Sequence, residues 1–129
     1  MKGIIDNVVV TNSITGMELF GGFTNGGSVE IFVSNSVVSA NSANGFFVNT
    51  SSTTKLILSI DNSRIVGNGT GIALEGGIAL LGRSVVTANG TGIQNLSAAN
   101  TFFTYKDNRI NENSVTDITS PLNGTFPLQ

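Results

Sequence analysis

Eight carboxylates are the acids available for chemistry: Asp6, Glu18, Glu30, Asp61, Glu75, Asp107, Glu112 and Asp117. There is no histidine and no cysteine, which removes thiol chemistry, disulfides and the usual zinc and haem ligand sets. Asp61 and Asp107 occupy similar places in the repeat described below, two layers apart. Stacked strands would hold them about 10 Å apart before any lateral offset. A retaining glycosidase needs about 5 Å and an inverting one about 6.5–9.5 Å, and Asp6 is farther still. A calcium-dependent lyase needs several acids converging on one ion, with Arg or Lys as base; no neighbouring repeats supply them. Ser36, Ser63 and Ser84 recur at one place but have no histidine to act as base. Arg64, Arg83 and Arg109 lie near one corner on successive repeats. They read as a small basic ridge or, more simply, as surface charges paired with Asp61 or Asp107. No catalytic residue, cofactor site or metal site is assigned, and the residues point away from an enzyme.

The elements that would position any site come from a repeated phrase. An aliphatic residue stands three positions before an asparagine in Val9–Asn12, Val38–Asn41, Ile65–Asn68, Val86–Asn89 and Ile110–Asn113. Asn12, Asn41, Asn68, Asn89 and Asn113 are 29, 27, 21 and 24 residues apart. Such a period marks stacked repeats, each one coil that cannot bury its apolar face alone. Five positions before the aliphatic residue stand Ile4, Val33, Ile60, Leu81 and Tyr105; seven before stand Ile31, Leu58, Ala79 and Phe103. This alternation reads as strands with one face inward. Beyond each asparagine a glycine opens a second apolar segment, as in Gly45-Phe46 and Gly71-Ile72. Asn-Gly between apolar runs also suits an antiparallel hairpin. Recurrence of asparagine at one place favours instead a parallel solenoid in which amides bond from coil to coil. The expected architecture is all-β, a parallel β-helix of about five coils over residues 1–113. Residues 114–129 form a C-terminal tail packing on or capping it.

Within that frame, Asn35-Ser-Val-Val-Ser-Ala-Asn-Ser-Ala-Asn-Gly-Phe46 and Asn62-Ser-Arg-Ile-Val-Gly-Asn-Gly-Thr-Gly-Ile72 resemble the repeat of right-handed parallel β-helix proteins, the pectate-lyase-like superfold. The resemblance spans residues 4 to about 113. Asp107–Asn113 with its Pro-containing tail is similar to the C-terminal part of bacterial members without an assigned activity. The resemblance implies a right-handed coil, which agrees with the general hand of parallel crossovers. It also implies an extracellular or cell-surface setting, although Met1–Asp6 lacks the apolar stretch of a secretory signal. Relatives of this kind include polysaccharide lyases, glycoside hydrolases, esterases, phage tailspikes and surface binding modules.

Charged residues make up 11% of the chain and the net charge is −2, so there is no basic footprint for nucleic acid. No apolar run is long enough to span a membrane. Asn-Gly-Thr at 68, 89 and 123 fits the glycosylation pattern but reads better as tight corners. If alternation holds, Phe32, Ile57, Ile78, Leu80 and Phe102 point outward and form an apolar strip, with Phe47 doing the same on another strand. Three occupants compete for it. The tail could cover it with Val115, Ile118, Leu122, Phe126 and Leu128; a second copy could pack there; or a polysaccharide could lie across the rings. Sugar platforms favour Trp and Tyr, and Tyr105 reads as inward. The first coil also lacks a cap, so it invites pairing with another copy or another protein. The functional expectation is a non-catalytic structural or binding module, self-associating through the strip and matching polysaccharide hydroxyls with its polar columns. The alternative is a degenerate or partial polysaccharide lyase or glycoside hydrolase.

Overall fold

The computed structural model describes residues 1–22, 25–51, 53–97 and 101–119, with the backbone of 124–126. Three short strands make each circuit. The first coil is β1 (Lys2–Asp6), β2 (Val9–Thr11) and β3 (Thr15–Phe20). The second is β4 (Ser28–Ser34), β5 (Val37–Ser39) and β6 (Asn44–Asn49); the third is β7 (Lys55–Asp61), β8 (Arg64–Val66) and β9 (Thr70–Leu74). The fourth is β10 (Ile78–Gly82), β11 (Val85–Thr87) and β12 (Thr91–Asn95). The fifth is β13 (Phe102–Tyr105), β14 (Arg109–Asn111) and β15 (Thr116–Ile118), and β16 (Gly124–Phe126) follows it. Like strands stack on like, all in parallel: sheet A runs β1-β4-β7-β10-β13-β16, sheet B is built from β2, β5, β8, β11 and β14, and sheet C from β3, β6, β9, β12 and β15. The chain is therefore a parallel β-solenoid, without a helix among the described residues.

Its core is a set of aliphatic columns. Val10, Val38, Ile65, Val86 and Ile110 stack in sheet B; Val33, Ile60 and Leu81 stack in sheet A; Phe46, Ile72 and Ile93 stack in sheet C. All but Val10 and Ile110 are buried. A glycine column, Gly16, Gly45, Gly71 and Gly92, begins sheet C because no side chain fits there. A Cβ on Gly71 would lie 2.6 Å from the Gly92 carbonyl oxygen and 3.1 Å from Asn89 Nδ2.

Two details of register correct the sequence reading. In the first coil Val10, not Val9, stands opposite Val38, and Ile5, not Ile4, opposite Val33. A slip of one residue exchanges the two faces of a strand, so Val9 and Ile4 are exposed. In the fifth coil three residues, Lys106 to Asn108, separate β13 from β14, where the fourth coil has only Arg83 and Ser84. The extra residue shifts β13: Phe102 lies opposite Ala79 and Thr104 opposite Leu81. Phe102 is therefore fully buried in the core instead of outward, and Tyr105 faces out. Beyond Asn113 the coils continue, since β15 extends sheet C and β16 extends sheet A. Ile118 packs against the core while Val115 is exposed. The remaining tail positions named above, Leu122, Leu128 and the Phe126 side chain, lie outside the described residues.

Candidate functional site

Two polar columns hold the corners and leave the outer face of sheet A as the place where chemistry could occur. At the corner between sheets B and C, Asn41 Nδ2 donates to Asn68 Oδ1 at 2.8 Å, Asn68 Nδ2 to Asn89 Oδ1 at 3.0 Å and Asn89 Nδ2 to Asn113 Oδ1 at 2.9 Å. The same oxygens accept the backbone N–H of the preceding asparagine, at 3.1, 2.9 and 3.0 Å. The ladder ends on a carboxylate, Asp117, which accepts both N–H groups of Asn113 at 3.1 and 2.8 Å. An ionised acceptor is the strongest end for a column whose donors all point one way.

Asn12 is not in this ladder. Ser13 stands at the ladder position of the first coil, its N–H donating to Asn41 Oδ1 at 3.0 Å. Asn12 is the left-handed corner residue, φ 59°, where later coils place Ala40, Gly67, Ala88 and Glu112. Asparagine suits both places: its amide bonds well, and it tolerates positive φ. The two roles are one residue apart, and the phrase alone does not separate them. Asn68 and Asn89 are buried in the ladder, which denies their Asn-Gly-Thr triplets to a glycosylating enzyme; Asn123 lies outside the described residues.

The recurrence of Ser36, Ser63 and Ser84 is a second column, at the corner between sheets A and B, whose hydrogen-bonding role the sequence does not reveal. Ser36, Ser63 and Ser84 are buried. The N–H of Ser36 donates to Ser63 Oγ at 3.2 Å, that of Ser63 to Ser84 Oγ at 3.1 Å and that of Ser84 to Asn108 Oδ1 at 2.9 Å. Each serine hydroxyl donates back to the carbonyl two residues earlier, at 2.6, 2.8 and 2.7 Å. These hydroxyls are spent on the backbone.

On the solvent side of that corner, Asp6 Oδ1 accepts from Ser34 Oγ at 2.6 Å and Asn35 Nδ2 at 2.7 Å, and Asn62 Nδ2 donates to Asn35 Oδ1 at 2.6 Å. The Ser34 and Asn35 hydrogen bonds favour the charged form of Asp6 and hold its carboxyl below the usual carboxylate range. Arg83 grips Asp61 through Nε and Nη2, which raises the guanidinium above its ordinary pKa. The Arg83 N–H donates to Asp107 Oδ1 at 3.0 Å. Arg83 thus ties together the two acids considered for glycoside chemistry. The basic ridge does not form: Arg64 and Arg109 share a column with Val85 between them. Among the described residues no three acids converge in a group able to hold a metal.

The outward rows of sheet A are Ile4, Phe32, Ser59, Leu80 and Phe103 in one, and Lys2, Glu30, Ile57 and Ile78 in the next. Of the expected strip, Phe32, Ile57, Ile78 and Leu80 are brought together, and Phe103 replaces Phe102. Phe47 is half-buried on sheet C and stands apart. Beside the strip is a hollow of about 280 Å³ lined by Phe32, Ser59, Ile60, Asp61, Leu80, Gly82 and Tyr105. Phe32 is 41% exposed and Tyr105 39%. Gly82 keeps the floor open, for a Cβ there would stand 3.2 Å from both Asp61 Oδ1 and a Tyr105 ring carbon. The arrangement offers two rings, a hydroxyl and a charged rim, with no free base beside them. Comparison with protein-family models, with curated proteins and with solved structures finds no match to this chain.

Proposed function

We propose that the chain is a non-catalytic binding module of the right-handed, pectate-lyase-like kind, bacterial or phage-like in source, which holds an extracellular polysaccharide along the outer face of sheet A. The supporting observation is the hollow bounded by Phe32 and Tyr105. The rings stand on the second and fifth coils, three inter-strand steps or about 14 Å apart along the stack. That span suits a few sugar units. Pyranose faces are apolar and lie on rings, while their hydroxyls seek polar edges. Ser59 and the Asp61–Arg83 pair supply such an edge, and a tyrosine presents an apolar body with a polar tip. Outward placement of Tyr105 favours this reading over the one drawn from an inward tyrosine.

Affinity gel electrophoresis against neutral and acidic polysaccharides tests it. One polymer should retard the protein, and Phe32→Ala and Tyr105→Ala should each weaken that retardation about tenfold. Unsaturated products and new reducing ends should stay at background; their appearance would revive a lyase or hydrolase. No retardation by any polymer sinks the glycan reading. A second reading, side-to-side self-association, is favoured by Phe32, Ile57, Ile78, Leu80 and Phe103 lying together across adjacent coils. Concentration-dependent mass abolished by Leu80→Ser would support it.

A further inference from the structure

The end of the solenoid at β1 carries a different message from its side. Among the described residues no strand pairs with the far edge of β1, which stands at the margin of sheet A. Exposed large apolar residues gather on this first coil: Met1, Ile4, Val9, Ile14 and Phe20. A hollow of about 270 Å³ opens into the core there, lined by Met1, Ile5, Met17, Leu19, Ile31 and Val33 among others. Unpaired strand groups beside apolar surface form a template for another chain. The sequence of β1 says which chain.

Hydrogen bonding fixes which groups of β1 are free. The Glu30 N–H donates to the Met1 carbonyl at 2.9 Å and the Asn7 N–H to the Ser34 carbonyl at 3.2 Å. Odd-numbered residues of β1 therefore face β4, and alternation turns the N–H and C=O of Lys2, Ile4 and Asp6 toward the open edge. An antiparallel copy of β1 centred on Ile4 sets Lys2 opposite Asp6, Ile4 opposite Ile4 and Asp6 opposite Lys2. All three are hydrogen-bonded pairs in the antiparallel pattern. Every edge-facing group is used, and both charged pairs are of opposite sign. A shift by two residues in either direction sets a charge against Ile4 and leaves edge groups idle.

We propose that two copies of this chain pair head to head, β1 against β1 in antiparallel register about Ile4, closing their open core ends on each other. Ile4, 78% exposed in the single chain, becomes the centre of the interface. Lys2 is held by Glu30 at 2.9 Å with its side chain 80% exposed, and Asp6 is oriented by Ser34 and Asn35. These partners all lie on the second coil, so a β1 strand added at the open edge would give each charge a further partner on its other side. The proposal concerns the backbone edge of β1, where the outward rows of sheet A that begin at Lys2 and Ile4 would continue into the second copy instead of being covered, and it stands whether or not a glycan binds beside Gly82.

The experiment is charge exchange followed by light scattering after size exclusion. The 129-residue chain should elute at twice its 13.3 kDa mass. Lys2→Asp alone, or Asp6→Lys alone, sets like charges opposite each other twice per dimer and should weaken association about tenfold or more. The Lys2→Asp/Asp6→Lys double variant restores opposite charges and should restore the dimer, as should mixing the two single variants. Ile4→Cys in this cysteine-free chain should oxidise to a reducible dimer, since directly opposite Cα atoms lie about 5.5 Å apart. A strictly monomeric chain overturns the proposal. So does a dimer indifferent to these exchanges but lost on Leu80→Ser, which would place the contact on sheet A.

Discussion

Asn68→Ala is the sharpest test of how the coils are held. Asn68 sits in the middle of the ladder, 3% exposed. Its Oδ1 accepts two N–H groups of Asn41, the backbone at 3.1 Å and the side chain at 2.8 Å. Its Nδ2 donates to Asn89 Oδ1 at 3.0 Å and to the Val38 carbonyl at 3.1 Å. Alanine removes these four contacts and a longer fifth, from Nδ2 to the Val66 carbonyl at 3.4 Å. Asn89 Oδ1 keeps the Asn68 backbone N–H at 2.9 Å, so its loss is partial. Asn41 fares worse: two donors on a residue 1% exposed lose their acceptor together. Each such donor costs about 1–3 kcal/mol, and with partial relaxation the pair comes to about 3 kcal/mol. For a chain of this size that lowers the melting temperature by about 10 °C. Asn12→Ala is the control. It removes an identical side chain from a left-handed corner that Ala40 and Ala88 also adopt, and should cost about 1 kcal/mol. Thermal and urea unfolding of both variants reads the difference. If Asn68→Ala melts no lower than Asn12→Ala, the ladder does not hold the coils and the stabilisation lies in the aliphatic columns alone.

Gly71→Ala forces a Cβ to 2.6 Å from the Gly92 carbonyl oxygen and 2.9 Å from Val86 Cγ1, and should destabilise by about 3 kcal/mol. Gly26→Ala, at φ 77° with nothing within 4 Å, carries only the conformational cost, about 1 kcal/mol. Urea midpoints of the pair check both values. The Asp6 carboxyl should titrate by NMR below the usual carboxylate range because Ser34 and Asn35 hydrogen bonds favour its ionised form. Its folded value lies below its unfolded one, so its contribution is present above the unfolded value and fades as pH falls through the folded one. Ser34→Ala should move the midpoint back up; an unmoved midpoint would remove the assigned cause.

The stacking was legible because it repeats. Recurrence of an aliphatic residue three before an asparagine exposes the ladder position in Asn41, Asn68, Asn89 and Asn113, and alternation exposes the columns of sheet A. What the phrase could not carry was register at the two ends. In the first coil the ladder position is Ser13, whose backbone N–H suffices, so aligning on Asn12 displaced that coil by one residue and turned Ile4 inward on paper. In the fifth coil the additional residue between Tyr105 and Arg109 turned Phe102 outward and Tyr105 inward. Each slip reverses a whole strand face, which is why one residue of misalignment misplaced an anchor of the candidate site. The serine column was visible as a recurrence, but hydroxyls at one place suggest nucleophiles as readily as backbone acceptors. Only the bonds made by Ser36, Ser63 and Ser84 decide between them.

The irregular period has a physical source in these ladders. Between sheets A and B the first four coils each spend two residues, and the fifth spends three; between sheets B and C every coil spends three or four. Between sheets C and A the connections run to seven, five, three, six and five residues. The two corners of near-constant length are those where serine or asparagine side chains bond one coil to the next. An extra residue there is accepted only where a side chain still reaches the column, as Asn108 does in the fifth coil by accepting the Ser84 N–H at 2.9 Å, because a buried hydrogen bond is expensive to leave unmade. The corner between sheets C and A has no such continuous column among the described residues, so length changes collect there at the modest entropic cost of a longer loop. Sheet B is thus fixed at both ends, and sheet A enters free and leaves through the serine column. The hollow beside Gly82 lies at that fixed end, next to Asp61 and Arg83. For the binding role proposed above, the serine column, running from Ser63 to Ser84 to Asn108, is what keeps Ser59, Asp61 and Tyr105 in step across three coils.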